Sequence, residues 1–260
     1  MADLLDRTIA ALRTNHDELA ALVAGLSDDQ LTGPSGAAEW TVAQALSHLG
    51  SGAEIMGGHV ATAITGEARE VDNTAIWARW DSATPREQVA GFLEHDAQLV
   101  QVLEGLGGAD ERSTLRVDLG FLPEPAPLST LAGMRLNEVA QHAWDVRVGL
   151  DRGAELEHGS AVALSEHFAG DLGFLLGFTA KPGAVTSPVR LDAGDVALLI
   201  DDERVTLAPS AQDATATFDG SIEAFVRLLA GRLKPEFTPD GTTVSGNVSL
   251  DDLRRVFPGY

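Results

Sequence analysis

The chain has 260 residues, enough for one large domain or two smaller domains that each bury a proper core. Its formal charge of −21 repels phosphate backbones and anionic lipid heads, so we expect neither nucleic acid nor a membrane surface as a partner. The absence of cysteine excludes disulfides, thiolate metal sites and a protein thiol nucleophile, so any thiol chemistry needs a small-molecule thiol.

The first half of the chain shows the apolar spacing of long amphipathic helices. Residues 3–24 carry apolar side chains at helical intervals and predict a first helix. Thr41 and Gln44 form a capping box at the start of a second helix. The Thr-Pro-Arg-Glu sequence at 84–87 supplies the N-cap, N1 and N3 residues of a third helix, which is predicted to reach about Gly107.

A fourth long helix follows a proline-containing loop at 113–128. Ser129 is its predicted cap, and Gly149 marks its predicted end. Four long helices in series favour a helical bundle. A further helix is predicted at about 161–177.

The composition changes after Phe178, where a linker at 181–188 contains two prolines. Short β-type segments then alternate with two helices that begin at Ser221 and Ser249. The predicted strands are 196–200, 204–207, 214–218 and 242–245. The sequence therefore predicts two domains, a helical bundle over 1–178 and a small α+β domain over 186–260.

Three residues on two of the predicted bundle helices form a candidate metal site. Glu138 and His142 lie one turn apart on the fourth helix, and His48 lies on the second. Two imidazoles and one carboxylate can bind a divalent metal and leave a position open for chemistry. Asp145 lies within about 60° of Glu138 and His142 around the helix axis, where it can orient a ligand.

The same spacing is also typical of a solvated helix face, and spacing alone does not separate the two interpretations. His48 lies at the edge of an apolar stripe, and this position by itself favours a packing role over a ligand role. His16 lies on the apolar line of the first helix, which predicts a buried, hydrogen-bonded histidine. His59 lies about 16 Å along the helix from His48, too far to share its metal. Three further histidines are expected to have structural or surface roles, and the four tryptophans are expected to be packing residues; they are His95, His158, His167, Trp40, Trp77, Trp80 and Trp144.

Two segments and their order along the chain resemble the mycothiol-dependent maleylpyruvate isomerase family. Residues 39–49, EWTVAQALSHL, are similar to its GWTV…HL segment, and residues 137–145, NEVAQHAWD, are similar to its E-x-x-x-H-x-W-D signature. The opening helix with residues 26–31 resembles the family's start. Residues 214–233 resemble the smaller C-terminal domain found in many members.

The resemblance implies a DinB-like four-helix bundle with a divalent metal, usually zinc, followed by a small α+β C-terminal domain. It assigns His48, Glu138 and His142 as the metal ligands and Asp145 as an acid that is not itself a ligand. The sequence departs from the family at Glu39, where a glycine or another small residue usually precedes the tryptophan.

The resemblance also implies an enzyme that binds and ionises mycothiol or a similar small thiol for attack on a small electrophile. The outcome is either cis–trans isomerisation, as with maleylpyruvate, or S-transfer. Two alternatives remain open: a thiol-independent metal-dependent hydrolase or oxygenase, and a non-catalytic metal-binding stress or regulatory protein. We expect a cytoplasmic protein, because the start Met1-Ala2-Asp3 lacks the basic segment of a signal peptide. The sequence specifies neither the electrophile nor the oligomeric state.

Arg232 is the predicted contribution of the second domain to the site. In so acidic a chain, an anionic substrate or thiol conjugate needs local positive charge, and Arg232 ends the helix that begins near Ser221. The alternative is that Arg232 only complements the negative end of that helix's dipole.

Overall fold

The structure is a computed structural model that describes residues 3–67, 71–209 and 213–259; the side chains of residues 109–111 are also outside the description. By its internal contacts the chain divides into two compact units, Met1–Ala154 and Glu155–Tyr260. Among the described residues, no helix is both long and apolar enough to cross a membrane.

The first unit consists of seven helices and one short two-stranded ladder within its described part. The helices are α1 (Leu4–Val23), α2 (Asp28–Leu31), α3 (Val42–Thr65), α4 (Asn73–Asp81), α5 (Pro85–Gly105), α6 (Ala109–Thr114) and α7 (Leu128–Val148). The strands are β1 (Arg116–Val117) and β2 (Ala126–Pro127), which pair antiparallel.

The four long helices α1, α3, α5 and α7 form the predicted bundle. Helix α3 packs against α5 and α7, and α1 packs against the same two helices, so α1 and α3 are diagonal. Buried leucines and aromatic residues fill the space between them, including Leu12, Leu46, Phe92 and Leu136. Burying such side chains is the main favourable term in assembling amphipathic helices.

The start signals of α3 and α5 are confirmed. Thr41 with Gln44, and Thr84 with Glu87, form reciprocal capping boxes, and Pro85 is the first residue of α5. The predicted cap at Ser129 is wrong. Helix α7 begins at Leu128 after Pro127, without a side-chain cap, because the paired strand β2 runs directly into the helix.

The second unit contains four α-helices, two short 3-10 helices and a five-stranded sheet in the described residues. The helices are α8 (His158–Ala169), α9 (Gly173–Thr179), α10 (Ile222–Leu229) and α11 (Leu250–Val256). The strands are β3 (Val189–Asp192), β4 (Ala197–Ile200), β5 (Val205–Ala208), β6 (Ala216–Asp219) and β7 (Thr243–Gly246). Their order is β5-β4-β3-β6-β7, in which only the β3–β6 pair is parallel.

The second unit begins earlier than the predicted domain boundary at 178–186. The helix predicted at 161–177 is two helices, α8 and α9, separated at Gly170. Helix α8 packs against α10 and β5, and α9 also packs against β5, so both belong with the sheet. The predicted architecture, a helical bundle followed by a small α+β part, is confirmed.

Candidate metal centre

The neighbouring helices α3 and α7 bring His48, Glu138 and His142 together. One ligand atom from each residue lies within 4.8 Å of the other two. His48 Nε2 is 2.9 Å from Glu138 Oε2, and His142 Nε2 is 3.8 Å from the same oxygen. The three side chains therefore converge on one point, which a solvated helix face does not require.

Asp145 lies behind His142 and fixes the orientation of its ring. Its Oδ2 is 2.8 Å from His142 Nδ1, and the side chain is completely buried. A carboxylate at Nδ1 favours the tautomer with the proton on that nitrogen, which leaves Nε2 as an acceptor for a metal. Nε2 is the nitrogen that faces Glu138.

Trp40, in the turn just before α3, covers the imidazoles of His48 and His142. Its ring centroid is 5.1 Å from that of His48 and 5.5 Å from that of His142. The two imidazoles lie edge to face at 4.7 Å. An indole at this position shields one side of the centre from water.

Glu138 is held as a carboxylate. Burial opposes its charge, but the hydrogen bond with His48 and the electrostatic effects of His142, His48 and Arg135 outweigh burial and lower the pKa of Glu138 below its ordinary value of 4.5. An ionised carboxylate is the form that binds a metal.

A buried polar network lies directly beneath the three residues. Arg135, one turn before Glu138, donates through Nη2 to Asp96 Oδ1 at 2.7 Å and to the Leu49 carbonyl at 2.8 Å. Asp96 Oδ2 is 2.9 Å from His16 Nδ1, so His16 is the buried, hydrogen-bonded histidine that the sequence predicts. These bonds lower the pKa of Asp96 despite its burial. The network includes a residue from each of the four bundle helices.

The first unit is similar to a known protein family. The family model described as the mycothiol maleylpyruvate isomerase N-terminal domain matches residues 12–147, just over half of the chain. The chain belongs to this family. The three clustered residues and Asp145 lie inside the matched range.

The individual proteins that resemble this chain have low sequence identity to it. Two uncharacterized proteins of Mycobacterium tuberculosis, from strains CDC 1551 / Oshkosh and ATCC 25618 / H37Rv, are each 28% identical over 147 residues. The match covers 56% of this chain and 69% of each relative. The crystal structure of the mycothiol-dependent maleylpyruvate isomerase is similar over the whole of both chains, with a TM-score of 0.63 and 18% identity. A histidine-to-alanine mutant of that enzyme gives 0.61 and 19%. At these identities the two structures establish the fold.

The departure from the family motif at Glu39 has a backbone consequence. The Trp40 N–H donates to the Ala37 carbonyl at 3.2 Å, which closes a four-residue turn, and Glu39 has a φ of +68° at the third position. Type II turns take glycine at this position because a Cβ is strained there. The glycine usual in the maleylpyruvate isomerase family thus fits a turn that this chain makes with glutamate.

Glu39→Gly is therefore expected to stabilise the first unit by about 1 kcal/mol. The substitution relieves the strain of a non-glycine residue in the left-handed region, and this gain exceeds the conformational entropy that glycine loses on folding. Chemical denaturation of the two proteins measures this difference. Ala38→Gly is the matched control, since Ala38 has no positive φ and glycine there brings only the entropy cost. Equal effects of the two substitutions would show that Glu39 is not strained.

Arg232 lies in the second unit, just after α10. Gly231, with a φ of +69°, makes the turn that follows the helix, and Arg232 Nη1 donates to the Ala230 carbonyl at 3.3 Å. The predicted turn at Gly231 is thus present, and this contact matches the helix-end interpretation. A role of Arg232 in a thiol or substrate site stays a prediction.

Sequence reasoning missed the carboxylate and the arginine beneath the centre. Asp96 and Arg135 look like solvent-facing residues of amphipathic helices, yet both are almost fully buried. The available signal was their register: each lies among the apolar positions of its helix, and His16 on α1 was placed inside by the same argument.

Proposed function

We propose that the protein is a metal-dependent enzyme that uses a mycothiol-like thiol to attack a small electrophile. Support comes from two independent sources, the convergence of three ligand-type side chains and membership of the mycothiol maleylpyruvate isomerase N-terminal domain family. The first is the observation that carries the proposal, because a histidine pair with a carboxylate inside 4.8 Å is a chemical feature of this chain itself.

The three side chains fit a divalent metal. Tetrahedral zinc holds nitrogen and oxygen ligands at about 2.0–2.2 Å, which corresponds to roughly 3.3 Å between ligand atoms. The separations of 2.9 and 3.8 Å from Glu138 Oε2 bracket that value. The Asp145–His142 contact is the kind of outer hydrogen bond that zinc-binding histidines have. Zinc is our proposed metal, because two imidazoles and one carboxylate are a borderline donor set.

In this proposal His48, Glu138 and His142 hold the metal, and a bound metal lowers the pKa of a coordinated thiol so that it is a thiolate near neutral pH. Asp145 keeps the proton on His142 Nδ1 and so holds the ring in place. Trp40 limits the access of water to the bound thiol. No protein nucleophile is needed, which agrees with the absence of cysteine.

Reversible addition of the thiol to a conjugated double bond, rotation about the resulting single bond and release of the thiol give cis–trans isomerisation. Retention of the thiol on the product gives S-transfer. Two solved structures that are similar over the full length are of a mycothiol-dependent maleylpyruvate isomerase, and we favour isomerisation of a maleylpyruvate-like substrate. In either reaction Arg232 is our proposed binding residue for an anionic substrate. Equal kcat/KM for Arg232→Lys and the wild type would contradict this role, since lysine cannot form the bidentate carboxylate contact.

Two measurements test the proposal as a whole. Purified protein is analysed for metal, and turnover of maleylpyruvate is then followed with and without added mycothiol. We expect near-stoichiometric zinc and turnover that needs the thiol. Turnover with metal alone would favour a hydrolase or an oxygenase, and a loaded site without turnover under any condition would favour a metal-binding protein.

Asp145→Asn is expected to keep measurable metal but to lower activity about 10- to 100-fold, the usual effect of losing a carboxylate that orients a metal ligand. Metal content and kcat/KM are measured on the same preparation. Asp151→Asn, an exposed carboxylate in the loop after α7, is the control and should change neither. Complete loss of metal in Asp145→Asn would instead make Asp145 a direct ligand.

A further inference from the structure

A polar cavity of about 420 Å³ lies beside the candidate metal centre and shares His48 with it. Its walls come from the turn before α3, from α3 itself, from α4 and from the start of α5. The lining residues are Trp40, Gln44, Ser47, His48, Ser51, Trp77, Asp81 and Gln88. This volume suits a ligand fragment of one or two rings.

Several hydrogen-bonding groups of the cavity have no partner among the described residues. The Gln44 side-chain oxygen accepts from the Thr41 N–H at 2.9 Å, which leaves the Gln44 Nε2 unused. Gln88 Nε2 donates to the Trp80 carbonyl at 3.2 Å, which leaves the Gln88 Oε1 unused. Gln88 is only 6% exposed and Ser47 only 5%. Nearly buried amides and hydroxyls are normally satisfied, and here they can donate to and accept from a ligand.

Two tryptophans give the cavity apolar faces. Trp40 and Trp77 are 36% and 49% exposed, high values for the largest hydrophobic side chain. An exposed indole offers a flat apolar surface together with an N–H donor. Rings that carry hydroxyl groups match this combination, because their C–H faces stack on indole while their hydroxyls both donate and accept.

The charge of the cavity selects among ligands. Its lining, as far as the described residues show, contains no lysine or arginine, and Asp81 supplies one carboxylate. Asp81 is exposed on the α4 wall. An exposed carboxylate repels anionic groups beside it and accepts hydrogen bonds from neutral hydroxyl groups. Apart from the side that His48 shares with the metal centre, the lining therefore suits a neutral group better than an anionic one.

The α4 wall is anchored to the bundle by Trp80. A Cβ on Gly50 would lie 2.2 Å from the Trp80 ring, and a Cβ on Gly91 would lie 2.7 Å from it, so the indole fills a slot that only glycines leave open. Trp80 Nε1 also donates to Glu54 Oε2 at 2.8 Å. Because of this anchor, Trp77 and Asp81 are presented by a fixed helix.

We propose that this cavity binds the neutral, polyhydroxylated part of the thiol, and that Asp81 disfavours thiols that carry carboxylates. The inference rests on the proposed function, which supplies mycothiol as the thiol. In mycothiol the cysteine carboxyl is amide-linked to a glucosaminyl-inositol, which has two hydroxyl-bearing rings. The sharing of His48 places this part next to the metal centre, where the sulfur must reach.

Turnover with three thiols tests the assignment: mycothiol, N-acetylcysteine amide, which is neutral and lacks the rings, and glutathione, which is anionic. Trp77→Ala and Asp81→Ala are expected to lower kcat/KM about 10-fold with mycothiol, by raising KM, and to leave the value with N-acetylcysteine amide unchanged. Asp81→Asn keeps an acceptor and is expected to retain mycothiol activity while activity with glutathione rises. Phe121→Ala and Asp29→Ala, an exposed aromatic residue and an exposed carboxylate outside the cavity, are the matched controls.

Binding of S-methylmycothiol, measured by calorimetry, separates this inference from the proposed function, because this probe has no thiol to ionise. Binding to the wild type that weakens about 10-fold in Trp77→Ala supports the cavity even if no turnover is found. No binding to the wild type, or equal binding to the wild type and both alanine variants, overturns the assignment.

Discussion

The variants His48→Ala and His142→Ala are expected to lose most of the bound metal and to have activity lowered at least ~100-fold. This effect is larger than that expected for Asp145→Asn, which removes only a hydrogen-bond partner of a ligand. Each variant leaves only two of the three side chains that converge within 4.8 Å. Two ligands cannot fix a tetrahedral metal that also needs an open position. Elemental analysis of protein purified without chelators measures the metal content.

His59→Ala is the control for this experiment. His59 lies on the same helix α3 and is partly exposed, but it is not a member of the cluster in the described structure. It should retain full metal and activity, whereas circular dichroism should show all three variants folded. Stoichiometric metal in both His48→Ala and His142→Ala would remove the assignment of the centre.

Asp96→Asn is expected to destabilise the first unit by about 3–5 kcal/mol, because the buried Arg135 then loses the carboxylate to which it is hydrogen-bonded. Arg135 is 2% exposed, so water cannot replace the lost partner. Denaturant unfolding measures the effect. The control is Asp28→Asn, which removes the partner of Arg86 in an ion pair that is largely exposed and is expected to cost under ~1 kcal/mol.

The pH dependence of stability gives a second readout. The folded-state pKa of Asp96 is lowered, so its contribution is fully present above its ordinary value of 3.8 and is lost as the pH falls through the lower, folded-state pKa. Asp96→Asn should remove this part of the acid dependence. The double variant Asp96→Leu/Arg135→Met removes both charges and should be more stable than Asp96→Asn. If the two proteins are equally unstable, the destabilisation by Asp96→Asn does not come from an unpaired charge.

The local signals in the sequence were sufficient for the long helices and their starts. Thr41 with Gln44 and Thr84 with Glu87 form hydrogen bonds within four residues, and such short-range chemistry can be read from order alone. Helix α4 was not predicted, because only Trp80 of its nine residues is buried and no apolar stripe forms. Strand β3 was missed because it directly follows Pro188, the last residue of the segment that was assigned as a linker.

The candidate centre could likewise be predicted only in the part that depends on local sequence. Glu138, His142 and Asp145 share one helix, so their common face follows from helical geometry. Their approach to His48 depends on the packing of α3 against α7, which spacing cannot supply and the family resemblance did. The cavity beside the centre was not anticipated at all, because Trp77 and Asp81 reach it through α4 and the Trp80 anchor.

The four-helix network has a consequence for how the bundle assembles. His16, Leu49, Asp96 and Arg135 come from four different helices, and their bonds are complete only when all four are in register. A helix displaced by one turn, about 5.4 Å, would pack its leucines almost as well but would leave a charge unpaired in the interior. The apolar core therefore drives association, and the network selects the single alignment in which His48 faces Glu138.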